Sequence, residues 1–144
     1  MPSVPNVPSK RVVIDTNTLI SAAIKPNSVP ALALLKAKYE HIVCVSKATM
    51  QELQTVIYRS KFDRFFAANT NERASFLEVF SQAVVVVDVT HTVTACRDPK
   101  DNMFLELALS AKADYLVSGD KRDLLSMHPY NGVAILSAAA FLNV

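Results

Sequence analysis

The chain has 144 residues, 51% of them hydrophobic and 19% charged, with a net charge of +2. This length suits one domain with a core of its own, and the apolar content excludes a disordered chain. Two cysteines, Cys44 and Cys96, form no CxxC and are too few for a disulfide scaffold, and no run of about 18 apolar residues marks a membrane span.

A reducing cytoplasm is therefore the expected compartment. The mild basic excess neither requires nor excludes a nucleic-acid partner. Met1–Ser9 carries three prolines and no apolar signal-peptide core. It reads as a flexible lead-in to a single domain over 10–144.

Arg11–Asp15 reads as a short β-branched strand ending on a charge. Thr18–Ile24 reads as a helix stopped by Lys25-Pro26-Asn27. Pro30 suits the first turn of a second helix running to about Tyr39. His41–Val45 is a buried strand by its β-branched content. Ser46 caps the helix that follows, whose Met50, Leu53, Val56 and Ile57 recur at helical spacing.

Lys61–Gln82 holds one or two helices with phenylalanines on apolar faces. Val84–Val89 is the most strand-like run in the chain. A loop, Thr90–Asp98, leads to a helix at Pro99–Ala111. Asp114–Ser118 and Gly132–Leu136 are further strands, followed by helical pieces near Arg122–Met127 and Ala138–Leu142. Alternating strands and helices predict a three-layer α/β/α domain with a mostly parallel central sheet of about five strands. The two glycines lie in no GxGxxG or Walker loop, which argues against a dinucleotide or P-loop site.

Four acidic residues stand where strands meet helices or just inside a helix: Asp15, Glu52, Asp101 and Asp120. An open parallel sheet collects such positions outside the carboxyl ends of its strands. Carboxylates gathered there repel unless a cation or proton lies between them, and hard oxygen donors suit magnesium or manganese.

A plainer reading competes. Asp98-Pro99-Lys100-Asp101 and Asp120-Lys121-Arg122-Asp123 both look like capped helix starts, which capping and the helix dipole explain at about 1 kcal/mol each. Asp15 fits that reading poorly, since Thr16, Asn17 and Thr18 look better placed to cap. Glu52 lies too deep in its helix to cap it. Asp98 and Asp101 compete for one place in the site. Phe104 and Ala108 share the face of Asp101, which favours Asp101.

Val13-Ile14-Asp15-Thr16-Asn17-Thr18-Leu19, Glu52, Asp98–Ala111, Tyr115–Asp120 with Asp123-Leu124-Leu125, and the ending Gly132–Leu142 together resemble the PIN-domain ribonucleases over nearly the whole chain. The Asp98–Leu109 spelling and Lys112–Asp120 are similar to a bacterial subgroup regarded as toxins of toxin–antitoxin modules. The resemblance implies an endoribonuclease whose Mg2+ or Mn2+ ions are held by Asp15, Glu52, Asp101 and Asp120. It offers Asp98 and Asp123 as candidate extra members and implies that Asn17 supports the first aspartate. It also implies an RNA substrate, a small antitoxin partner and pairing into a homodimer.

Bound divalent ions can activate water, neutralise phosphate and stabilise the leaving oxygen, with two ions about 4 Å apart clamping both oxygens. Lys47, Arg97, Lys100 and Lys121 are the expected phosphate contacts, being close in sequence to the acidic elements. Arg59, Lys61 and Arg64 form a further basic cluster that reads equally well as a solvated helix end. His41, His91 and His128 have no zinc spacing.

Two other classes compete. A non-catalytic PIN-like module would bind RNA or protein through the same fold. A phosphatase of the haloacid dehalogenase type would start with strand-Asp-x-Asp, whereas position 17 is Asn.

Overall fold

Short, mostly apolar runs at β1 (Arg11–Ile14), β2 (Ile42–Val45), β3 (Val84–Val86), β4 (Tyr115–Val117) and β5 (Ala134–Leu136) assemble one sheet in the order β3-β2-β1-β4-β5. Every neighbouring pair is parallel. The structure, a computed structural model, describes residues 9–68 and 70–144. The expected lead-in, Ser9 apart, lies outside the described residues.

Parallel neighbours need crossovers, and helices supply them. From β1 the chain passes through α1 (Thr16–Ile24) and α2 (Val29–Glu40) to β2. From β2 it passes through α3 (Lys47–Ile57), a 3-10 segment at Ser60–Phe65 and α4 (Glu72–Gln82) to β3. A 3-10 turn at Pro99–Asp101 opens α5 (Asn102–Ala111), which returns to β4, and α6 (Ala138–Phe141) closes the chain after β5.

Strand alternation divides the core in two. Val12 and Ile14 join Leu53, Ile57 and Phe141 on one face. Val13 faces the other way, onto Phe104, Leu105 and Leu107 of α5. The central strands are thus buried on both sides, as expected of a three-layer parallel fold.

Three local expectations are corrected. The first helix begins at Thr16 rather than Thr18, because Asp15 itself caps it: Asp15 Oδ1 accepts from the Thr18 N–H at 2.9 Å. Val84–Val89 shrinks to three residues at the sheet edge, where β2 is its sole strand partner. Its strong β propensity therefore meets little packing, and Val86 is 66% exposed. The Pro99–Ala111 helix starts as a tighter 3-10 turn, with Asp98 Oδ1 accepting from the Lys100 N–H at 3.0 Å.

Strand order reverses between β1 and β4. Their carboxyl ends lie side by side, with the Asp15 N–H donating to Val117 O at 3.0 Å. A crevice at such a switch point is the usual ligand position in open α/β sheets.

Candidate metal centre

Asp15 follows the last residue of β1, and its 6% exposure makes it the buried charge of the molecule's sheet edge. Two donors hold its carboxylate: the Thr18 N–H on Oδ1 and the Ser118 hydroxyl on Oδ2, the latter at 2.6 Å. Ser118 Oγ in turn accepts from the Asp120 N–H at 3.1 Å. The end of β4 is thereby tied to the end of β1 through one hydroxyl. Burial raises the Asp15 pKa; the Ser118 and Thr18 hydrogen bonds pull it down, and the charge of Asp120 raises it.

Asp120 stands just beyond β4 and tightens the following turn, its Oδ1 accepting from the Arg122 and Asp123 N–H groups at 3.2 Å each. Asp101 ends the 3-10 turn before α5 and makes no capping bond of its own. Phe104 and Ala108 on the same face are buried, as the helical spacing predicted. One oxygen each of Asp101, Asp120 and Asp123 fall within 4.8 Å of one another.

The group is electrostatically unsatisfied. Asp101 Oδ2 is buried and has no hydrogen-bond partner, and the neighbouring Thr16 Oγ1 has none either. Burial comes first in raising the Asp101 pKa to about 6, followed by repulsion from Asp98, Asp120, Asp123 and Asp15. Asp123 Oδ1 lies 3.0 Å from Arg97 Nε, within ion-pair reach but out of line for a hydrogen bond. Orphaned buried polar atoms are rare in native folds, and a bound ion, a water or a catalytic role is among their explanations.

A cleft of about 230 Å³ brings the remaining acidic positions together. Asp15, Glu52, Asp98, Asp101 and Asp120 line it, five carboxylates against the three cations Arg59, Lys61 and Lys100. Glu52 reaches the cleft from α3, whose start is fixed by a reciprocal capping box between Ser46 and Thr49. Oxygen donors alone, in excess over cations and partly desolvated, fit a hard divalent ion and not zinc or copper.

The other named residues divide. Lys100 lines the cleft, whereas Lys47 lines a separate hollow against Val86 and Val87. Lys121 lines neither, and Arg97 is engaged with Asp123. Asn17 lines the cleft, but the hydrogen bonds that hold Asp15 come from Thr18 and Ser118. Ser118 escaped the sequence reading although it stands in Val117-Ser118-Gly119-Asp120. Arg59 and Lys61 did so as site residues. Both stand just past the end of α3, Arg59 in extended backbone and Lys61 in the 3-10 segment, so no helical spacing in the sequence links them to Glu52.

Comparison with known proteins agrees with this architecture. The sequence profile of the PIN domain matches residues 11–122. An uncharacterized protein of the archaeon Methanocaldococcus jannaschii, MJ1680, is 35% identical over 122 residues, spanning 84% of this chain and 77% of that protein. The chain belongs to the PIN domain family.

Solved structures share the fold at low identity. VapBC2 from Rickettsia felis, bound to a DNA fragment from its promoter, matches with a TM-score of 0.58 at 14% identity, over 87% of this chain and 96% of that one. PAE2754 from Pyrobaculum aerophilum matches with 0.58 at 17%, over 93% and 88%. The PIN domain endonuclease Utp24 matches with 0.50 at 20%, over 88% and 84%.

Proposed function

We propose that the protein is a metal-dependent endoribonuclease whose acidic cleft holds Mg2+ or Mn2+, acting in the cytoplasm as the toxin of a toxin–antitoxin pair. The observation that carries the nuclease reading is the buried, partnerless Asp101 Oδ2 set among Asp120 and Asp123 and facing a cleft shared with Asp15. Membership of the PIN family and the fold shared with an endonuclease support it. RNA as substrate, and the small antitoxin partner, rest on the family resemblance. The shared fold with VapBC2 is consistent with the toxin role and extends no further.

Asp15, Asp101 and Asp120 would hold the ion, with Asp123 joining them and Glu52 binding the ion or orienting the attacking water. The bound ion supplies a polarised water and a counter-charge for the phosphate. The protein's own part is positioning. Ser118 and the α1 N-terminus keep Asp15 in one rotamer, and the turn after β4 aims Asp120. Arg59, Lys61 and Lys100 draw the polyanion to a cleft that would otherwise repel it.

The deciding experiment is cleavage of a mixed RNA pool with Mn2+, Mg2+ or EDTA, wild type beside Asp15→Asn. Metal-dependent cleavage lost in the variant is the expected result. Metal-independent cleavage, or full activity in the variant, would remove the site assignment. Absence of both cleavage and metal binding would leave the non-catalytic module. For the toxin role, wild-type expression should slow growth and Asp120→Asn should relieve it. Equal growth of the two strains would end that role while leaving the nuclease intact.

A further inference from the structure

The carboxylates are open on a second side. A cavity of about 400 Å³ lies where the starts of α1 and α2 approach the turn after β4, and it shares Asp15, Asn17 and Asp120 with the acidic cleft. That volume is within the range of ordinary ligand pockets, about 300–1,000 Å³. Beyond the shared pair of aspartates this cavity is lined by no charged residue. Ser21, Pro30, Gly119 and Ala138 form its walls, with Ser21 and Asn17 presenting exposed polar side chains. All three cations of the cleft stand on the other side. Asp15 and Asp120 thus separate a charged arm, which holds all three cations and three further carboxylates, from a neutral one.

Gly119 has no internal reason to be glycine. Of the glycines, Gly132 has positive φ, whereas Gly119 does not. A Cβ built on Gly119 would meet no atom within 4 Å. Neither backbone strain nor packing calls for a bare Cα there. The other established use of glycine is to let a ligand approach the backbone closely.

We infer that the neutral cavity seats the sugar and base of one nucleotide of a single-stranded nucleic acid, next to the phosphate that lies at Asp15 and Asp120, with Gly119 left bare to admit it. The strand enters over the charged arm, where Arg59, Lys61 and Lys100 meet its phosphates, and its neutral part turns into the second cavity. Asn17 and Ser21 offer hydrogen bonds to the sugar or base edge, and Pro30 and Ala138 an apolar wall. A base seated this way has left its stack, which costs least in an unpaired strand. The inference rests on the nuclease reading for the position of the phosphate.

The test is to fill the cavity from two sides with Gly119→Leu and Ser21→Tyr. Three readouts are taken: thermal stability, binding of a labelled single-stranded RNA in Ca2+, and Mn2+-dependent turnover of RNA and of bis(p-nitrophenyl) phosphate, which has no nucleoside. Both variants should melt like the wild type and cleave the small diester at an unchanged rate. Both should lose RNA binding and RNA cleavage on the order of tenfold to a hundredfold, the scale of a misplaced substrate. Wild-type RNA binding and cleavage in folded variants would overturn the inference. Loss of small-diester turnover together with RNA turnover would also overturn it, by making these residues supports of the metal site. If the wild type cleaves neither substrate and binds no Mn2+, the nuclease reading fails by itself. RNA binding then decides the cavity: loss in both variants sustains it and retention overturns it.

Discussion

At the residue scale, buried Asp15 and half-buried Asp101 are carboxyls whose protons are held more tightly than usual, for different reasons. Asp15 is desolvated but compensated by two hydrogen bonds, whereas Asp101 is desolvated, surrounded by four aspartates and leaves one oxygen unpaired. The Asp101 pKa is raised from 3.8 to about 6 in the folded protein. Its protonated form therefore favours the native state. That contribution is complete below about pH 4 and is lost as the pH rises through about 6. In EDTA the melting temperature should fall over this window, and Asp101→Asn should remove that part of the fall. With Mn2+ present the trend should reverse, since the ion binds the charged form and displaces the proton. Melting curves across pH, with EDTA and with Mn2+, check both signs; a wild-type slope identical to that of Asp101→Asn would refute the assignment.

At the element scale, helix starts do double work. Asp15 caps α1, Asp98 caps the 3-10 turn and Asp120 caps the turn after β4, so capping and site geometry are carried by the same or adjacent carboxylates. The two readings that compete in the sequence are therefore not alternatives. Among the elements that bring a carboxylate to the cleft, α3 has a neutral cap: Ser46 and Thr49 close the capping box, and Glu52 is left to face the cleft. Ser46→Ala should cost about 1 kcal/mol of stability, the usual value of an N-cap. It should also weaken Mn2+ binding slightly, through the looser start of the helix that carries Glu52. Chemical denaturation and metal titration of the same variant measure the two effects. An unchanged denaturation midpoint would show that tertiary packing alone holds α3.

At the scale of the whole molecule, the net charge of +2 hides a polarised cleft edge. Five carboxylates occupy its floor and walls while Arg59, Lys61 and Lys100 stand among them. Attraction of a polyanion depends on those few cations, and each phosphate contact contributes to the salt dependence of binding. For single strands the slope of log K against log salt is about −0.7 per contact, so Arg59→Gln with Lys61→Gln should flatten it by roughly 1.4. Lys47→Gln and Lys121→Gln, which do not line the cleft, should leave the slope unchanged. RNA binding measured in Ca2+ at several salt concentrations makes the comparison. Equal slopes for both double variants would place the phosphate path elsewhere.

The α/β layering, the parallel sheet and the strand-end positions of the aspartates were legible in the chain, because periodicity, β-branching and cap residues are local signals. The same holds for Ser46 as a cap and for the buried face of α5 behind Asp101. Locality is also why the reading failed where it did. That Asp15 caps α1 depends on where the helix begins, and that Val84–Val89 is a short exposed edge depends on strand order. Ser118 matters through a hydrogen bond to a residue 103 positions away. Arg59 and Lys61 gain meaning when α3 is laid against the β1–β4 edge, and Gly119 when the space in front of it is seen to be empty. Sequence sets what each segment prefers; which side chains share a desolvated cleft is settled by contacts between segments distant in the chain.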